Sequence, residues 1–169
     1  MFPHKIFFDG VEAEKSDSRA LALRTLFASS FPFHDVECYS IRSLLYALRY
    51  CGRDRQLEIC QLRPKLARKE IENTNQNYLY WDNQLFPVDS DRTADLITDI
   101  FDALLNTYPE VKEVLFELDQ NEIVIEFNQA DSAQLPLTLE GFMKQFDRLR
   151  QKAFLDTDLI VAPGEFNRI

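Results

Sequence analysis

Only four glycines interrupt 169 residues, and the chain has just three cysteines, two histidines and one tryptophan. Each scarcity excludes something. No GxGxxG, GxxxxGKS/T or GxSxG occurs, so neither a glycine-rich phosphate loop nor a nucleophile elbow is written into the chain. HExxH is missing too. With His4 and His34 as its imidazoles, the chain has little to offer structural zinc, no metal or cofactor is expected, and acid–base chemistry would fall on carboxylates. Cys38, Cys51 and Cys60 cannot all pair and follow no CxxC spacing, so they are expected as buried, reduced thiols. Cys38 stands four residues along a strand from His34, too far for a nucleophile and its base. No apolar run approaches the ~18 residues of a membrane span. The opening Met1-Phe2-Pro3-His4-Lys5-Ile6-Phe7-Phe8-Asp9 is too short and too soon acidic for a signal peptide. A cytoplasmic protein with no membrane association is expected.

Positive charge is also in deficit, 19 Lys and Arg against 28 Asp and Glu, for a formal net charge of −9. Direct nucleic-acid binding is therefore not expected. The cations cluster, however: Arg42, Arg49, Arg53, Arg55, Arg63, Lys65, Arg68 and Lys69 leave room for a local anion site. Hydrophobic residues make up 46% of the chain and aromatics 12%, enough to bury a core and to exclude a disordered or collagen-like protein. The length suits one domain, expected over 1–154 with a tail from Leu155 to Ile169.

The patterning predicts a helix-rich α+β domain, with five or six helices and three or four short strands. Lys5 to Phe8 reads as a strand, and Ser16 to Ser18 as caps of a helix through Ala28. Phe31-Pro32-Phe33 interrupts, and His34 to Tyr39 alternates as a strand. Ile41, Leu44, Leu45, Leu48 and Cys51 recur at helical intervals up to Gly52, with Arg42, Tyr46, Arg49 and Arg53 flanking them. Further helices are expected over Asp54–Leu62 and Pro64–Glu72, and an aromatic strand at Tyr78-Leu79-Tyr80-Trp81. Ser90 caps a helix with a double apolar stripe from Leu96 to Leu105, its Asp91, Asp95, Asp99 and Asp102 forming a solvated face. Pro109 opens the next helix, through Leu118. Ile123, Ile125 and Phe127 mark a strand, and Thr138 caps a last helix with Phe142, Phe146 and Leu149 inward.

What chemistry remains lies in large amphipathic groups. Arg42, Tyr46 and Arg49, with Tyr80 and Trp81, combine guanidinium forks that suit phosphate oxygens with rings that suit a base or sugar. These same groups also serve as ordinary core and surface residues. Pro32-Phe33, Tyr39-Ser40-Ile41 and the helix with Ala47 stand in a telling order. They are followed by Tyr80-Trp81, Ser90, Asp102-Ala103-Leu104, Pro109-Glu110, Val114-Leu115, Leu137-Thr138, Phe142 and Leu149-Arg150. In that order and spacing, from about Phe31 to Lys152, the chain resembles the NADAR superfamily. The resemblance implies a compact, mainly helical α+β fold. It also implies kinship with N-glycosidases that cleave a ribose–nitrogen bond in riboflavin-pathway intermediates or ADP-ribosylated bases.

The departures from that pattern bear on chemistry. The family's glutamate in its Ser-Val-Glu-His turn falls on Arg42, the histidine on Ser43, and the closing lysine on Arg49 or Tyr50. Leu118-Asp119-Gln120 replaces a Thr-Gly-Asp turn, while Trp81 keeps its residue type. Glycosidic cleavage builds positive charge on the sugar, which a nearby carboxylate stabilises. At about 5 Å and a dielectric near 20, such a pair is worth roughly 3 kcal/mol. Reversing its sign would slow the reaction by about four orders of magnitude. A binding domain for a phosphorylated ribose or nucleotide, catalytically degenerate, is therefore expected. Two rivals stand beside it. One is an active glycosidase with a relocated carboxylate drawn from Glu37, Glu72, Asp82 or Asp119. The other is an acidic module that meets a protein partner through Asp91 to Asp102.

Overall fold

The computed structural model describes residues 4–7, 18–71, 77–117, 123–126, 144–145, 147–149 and 151. In chain order it runs β1 (His4–Phe7), α1 (Ser18–Ala28), β2 (Phe31–Phe33), β3 (Val36–Cys38), α2 (Ile41–Ala47), α3 (Arg53–Cys60) and α4 (Pro64–Glu70). It continues with β4 (Tyr78–Trp81), β5 (Gln84–Pro87), α5 (Asp91–Thr107), α6 (Pro109–Glu117) and β6 (Ile123–Glu126). The strands pair into three two-stranded sheets: β1 with β6, parallel, and the antiparallel hairpins β2–β3 and β4–β5. This is the helix-rich α+β architecture that the patterning predicts.

The core is organised around α2. Ile41, Leu44, Leu45, Tyr46 and Ala47 have no exposed surface, so this helix is buried on most of its circumference, against α3, α4 and β3. Arg42 is the residue of α2 that stays half-exposed. Ser40 caps the helix, its Oγ accepting from the Ser43 N–H at 3.3 Å. Ser43 Oγ in turn donates to the Leu62 carbonyl at 2.7 Å, joining α2 to the turn before α4.

Periodicity over-extends α2. The apolar rhythm runs on to Cys51, but the helix ends at Ala47. Arg49 and Tyr50 N–H groups then donate three residues back, to Tyr46 and Ala47, tightening the chain into a turn. Gly52, at φ 110, starts α3 rather than ending α2. Arg49 therefore lies beyond α2, and Cys51 is exposed, not buried as the thiol reading had it; Cys38 and Cys60 are buried.

Two strands depart from the sequence reading. Phe31-Pro32-Phe33 is a strand and not an interruption. In a hairpin closed by the Phe33–Val36 pair, the next pair, Pro32 with Glu37, is the kind whose N–H groups point away from the partner. Proline's missing donor is harmless there. β5 had no alternating pattern to announce it: only Phe86 of its four residues is buried. In α1, Leu26 and Phe27 are buried while Leu21 is 56% exposed, so the inward face is narrower than its leucines suggest. Asp91, Asp95 and Asp99 form the exposed side of α5. No described helix is long and apolar enough to cross a membrane. Glu72, Asp119, the Thr138 cap, Phe142, Phe146 and the segment 155–169 lie outside the described residues.

Candidate functional site

Alternation along β4 turns Leu79 and Trp81 inward and leaves Tyr78 and Tyr80 half-buried on the other face. The strand then reverses through Asp82 and Asn83 into β5, with Trp81 opposite Gln84. Both turn residues take positive φ, 47° and 60°. That is the requirement of a type I′ turn, which Asp and Asn tolerate better than most residues.

A second hairpin tip meets this one. His34 and Asp35 join β2 to β3, and His34 sits at φ 50 in the pattern of a II′ turn, whose first central residue alone is positive. Its imidazole lies edge-on to Phe33, with centroids 4.5 Å apart and an interplanar angle of 86°. Phe33 is 5.1 Å from the indole of Trp81, and His34 is 6.1 Å from it at 49°. These separations are those of mutually attractive aromatic pairs. Among the described residues, every non-glycine residue with positive φ stands at one of these two tips. Uncommon backbone conformations gather where function constrains the chain.

The Asp82–Asn83 tip is held by α3. Arg53 Nη1 forms an ion pair with Asp82 Oδ1, both side chains about half exposed. Gln56, buried at 2%, donates its amide to the Tyr80 carbonyl, and the Tyr80 N–H donates to Leu48 O at 2.7 Å. β4 is thus fixed against the end of α2, next to Arg49.

The residues singled out from the sequence divide as follows. Trp81, 7% exposed, is at the centre of the aromatic trio. Arg49 is buried at 5%, beside the Leu48 carbonyl that anchors β4, and burial pushes its guanidinium below the ordinary value. Arginine remains a cation nonetheless. Tyr80 sits on the opposite strand face from Trp81. Tyr46 has no exposed surface and packs within the core. Arg42 stands in the first turn of α2, about 9 Å along the helix from Leu48. Of the weighed carboxylates, Asp82 directly follows Trp81 at the tip, while Glu37 lies on the exposed face of β3. Glu72 and Asp119 fall outside the described residues. Sequence reasoning did not single out Phe33, His34 or Gln56 for the site, and it set Arg53 on the flank of α2 where the structure has it opening α3. The available signal was His34-Asp35 between two short apolar-alternating triplets, a hairpin pattern hidden by Pro32.

Two members of the cation cluster, Arg53 and Arg55, are locally balanced. Arg55 is ion-paired with Glu58 and Glu70, as Arg53 is with Asp82. Among the described residues, no group of three His, Cys, Asp or Glu side chains is placed to hold a metal ion.

No protein-family model matches this chain, and neither does any curated protein. Among solved structures, its fold matches the NMR structure of the E. coli protein YbiA at a TM-score of 0.61 and 11% identity. The match covers 98% of this chain and 94% of that one. YbiA is a NADAR family protein, and the fold described here is NADAR-like in a divergent form. At this identity the likeness speaks for the fold alone.

Proposed function

We propose that this chain is a binding domain on a glycosidase-type fold, with catalysis lost, and that it holds a phosphorylated ribose or nucleotide. The observation that carries this reading is the ion pair of Asp82 with Arg53. A carboxylate that stabilises a sugar cation must present its charge to the sugar, and a guanidinium bound to it offsets that charge. Arg42, on the position that the family resemblance gives to a glutamate, acts in the same sense. The Arg53 guanidinium at the turn that follows Trp81 suits an anionic ligand with a ring better than it suits a cationic transition state.

Calorimetry with ADP-ribose, NAD and pyrimidine ribose phosphates tests the reading. At least one of these is expected to bind, and Arg42→Ala to weaken it about tenfold or more through the loss of a charge-assisted contact. Trp81→Ala is expected to weaken it as well. Absence of binding across the panel would overturn the ligand.

A second reading is favoured by the position of Asp82 next to Trp81: a working N-glycosidase that uses this carboxylate. Chromatography of the same ligands after incubation with the protein separates the two. Release of a free base that is lost in Asp82→Asn would support hydrolysis, whereas intact ligand supports binding alone.

A further inference from the structure

The cations of α4 are placed unlike those of α3. On α3, Arg53 and Arg55 meet the carboxylates of Asp82, Glu58 and Glu70, and Glu70, the acid of α4 itself, is turned to that pairing. From Gln61 to Lys69 the chain carries four cations and no acid, in a protein whose net charge is −9. Among the described residues no carboxylate is ion-paired with Arg63, Lys65 or Lys69, and all three are exposed. α4 buries Ala67, with Ile71 one turn on, against the core. Helical geometry sets Lys65 and Lys69 on the opposite side, with Leu66 beside them and Arg63 one turn before Leu66. Leu66 is 48% exposed, an aliphatic group open to water amid three cations.

None of this helps the helix. Arg63, at the N-cap, makes no side-chain cap, and the first turn holds Lys65 and no acid, the reverse of what the helix dipole favours. Lys65 and Lys69 are like charges four residues apart, which repel. Residues that weaken their own element and gain no pairing in return mark a surface kept for another purpose. Leu66 decides between polyanions. A phosphate backbone offers nothing apolar to a leucine, and a protein of net charge −9 disfavours a polynucleotide. An acidic protein helix offers both requirements. Carboxylates four residues apart along it have the ~6 Å axial spacing of Lys65 and Lys69, and an apolar residue between them covers Leu66.

We propose that the outward face of α4, formed by Arg63, Lys65, Leu66 and Lys69, docks an acidic amphipathic helix of a partner protein. The face shares no residue with the phosphorylated-ribose site and is tested independently of it. The full chain is titrated into three fluorescein-labelled probes, followed by anisotropy: a helical peptide with leucine along one face and glutamate on both flanks, its twin with serine for leucine at the same charge, and oligouridylate. The leucine peptide is expected to bind saturably and about tenfold more tightly than its serine twin, the weight of partly burying Leu66, and added salt to weaken it. Leu66→Ser is expected to bring the two peptides level, and Lys65→Glu with Lys69→Glu to remove binding. Circular dichroism checks that these exposed substitutions leave the fold intact, and binding of ADP-ribose, NAD and pyrimidine ribose phosphates is expected to be unchanged in them. Equal affinity for the two peptides, or oligouridylate binding as tightly as the leucine peptide, would overturn the proposal in favour of a face that reads charge alone. Failure of both peptides to bind, or binding unaffected by the paired charge reversal, would overturn it outright. The peptide comparison needs no variant, so it decides the role of the exposed leucine even if a substitution impairs folding.

Discussion

Two thiols of this protein are chemically silent and one is not. Cys38 and Cys60 are buried without exposed surface, and Cys51 is open to solvent in the turn before α3. A hydrogen bond with Cys38, and then burial, raise the Cys60 thiol far above its ordinary range. The thiolate is the reactive form, so a thiol-specific reagent at pH 7.5 is expected to label one cysteine per native chain and three in denaturant. Rapid labelling of two or more in the native protein would contradict this burial. The linkage has a definite sign. Both states hold the Cys60 proton below about pH 8.5, and above it only the unfolded chain releases it. This group therefore contributes stability at neutral pH that falls by about 1.4 kcal/mol per pH unit above that point. Urea denaturation at pH 7.5, 9 and 10 checks the slope, which Cys60→Ala is expected to flatten.

Among elements, α5 shows what a sequence makes visible and α2 what it hides. In α5 the cap, the apolar stripe and the acidic face all agree: Ser90 Oγ accepts from Thr93 N–H at 3.2 Å and donates to Pro87 O at 2.7 Å. Leu96, Ile97, Ile100, Phe101, Leu104 and Leu105 are buried behind it. Ser90→Ala removes both contacts and is expected to cost about 1 kcal/mol, or ~2–4 °C of melting temperature in a chain of this size. A calorimetric scan that shows no loss would mean that Thr93 Oγ1, which also reaches Pro87 O at 2.7 Å, holds the end alone. α2 was harder to read because a helix buried everywhere but at Arg42 has no polar stripe to mark its phase or its end. Tyr46 looked like part of a flanking face for that reason, and it is core. The candidate site was half visible for a related one. Trp81 and Asp82 follow from an aromatic strand and its turn, but Phe33 and His34 reach them through a hairpin whose proline disguised it, and no periodicity encodes a contact between two tips. Gln56 illustrates the remainder: a polar residue is buried at 2% to hold a carbonyl that belongs to a strand 24 residues away.

At the scale of the whole molecule, the fold is closed by pairings between distant parts of the chain. β1 lies parallel to β6, joining residues 4–7 to residues 123–126. On α5, Thr98 Oγ1 donates to Gln145 Oε1 at 2.7 Å, and Gln145 Nε2 donates to Ala94 O at 3.3 Å. Gln145 is 5% exposed and Leu149, one turn further on, is 3% exposed, so these two late residues are built into the core. The α5 face that receives Gln145 is the same helix that packs against β2 and β5, one strand from each hairpin of the candidate site. Loosening the late residues should therefore be felt by the entire domain and not by its end alone. Leu149→Ala removes a buried side chain and leaves a cavity, a change worth about 2–4 kcal/mol in cores of this kind. Against a total stability of about 5–15 kcal/mol, that is a large fraction. The expected outcome is a single cooperative transition displaced downward by roughly 5–15 °C, with Trp81 fluorescence and far-ultraviolet circular dichroism moving together. If Trp81 emission kept its original midpoint while the helical signal melted early, α5 and the hairpins would be separate cooperative units, and the coupling argued here from packing would be wrong.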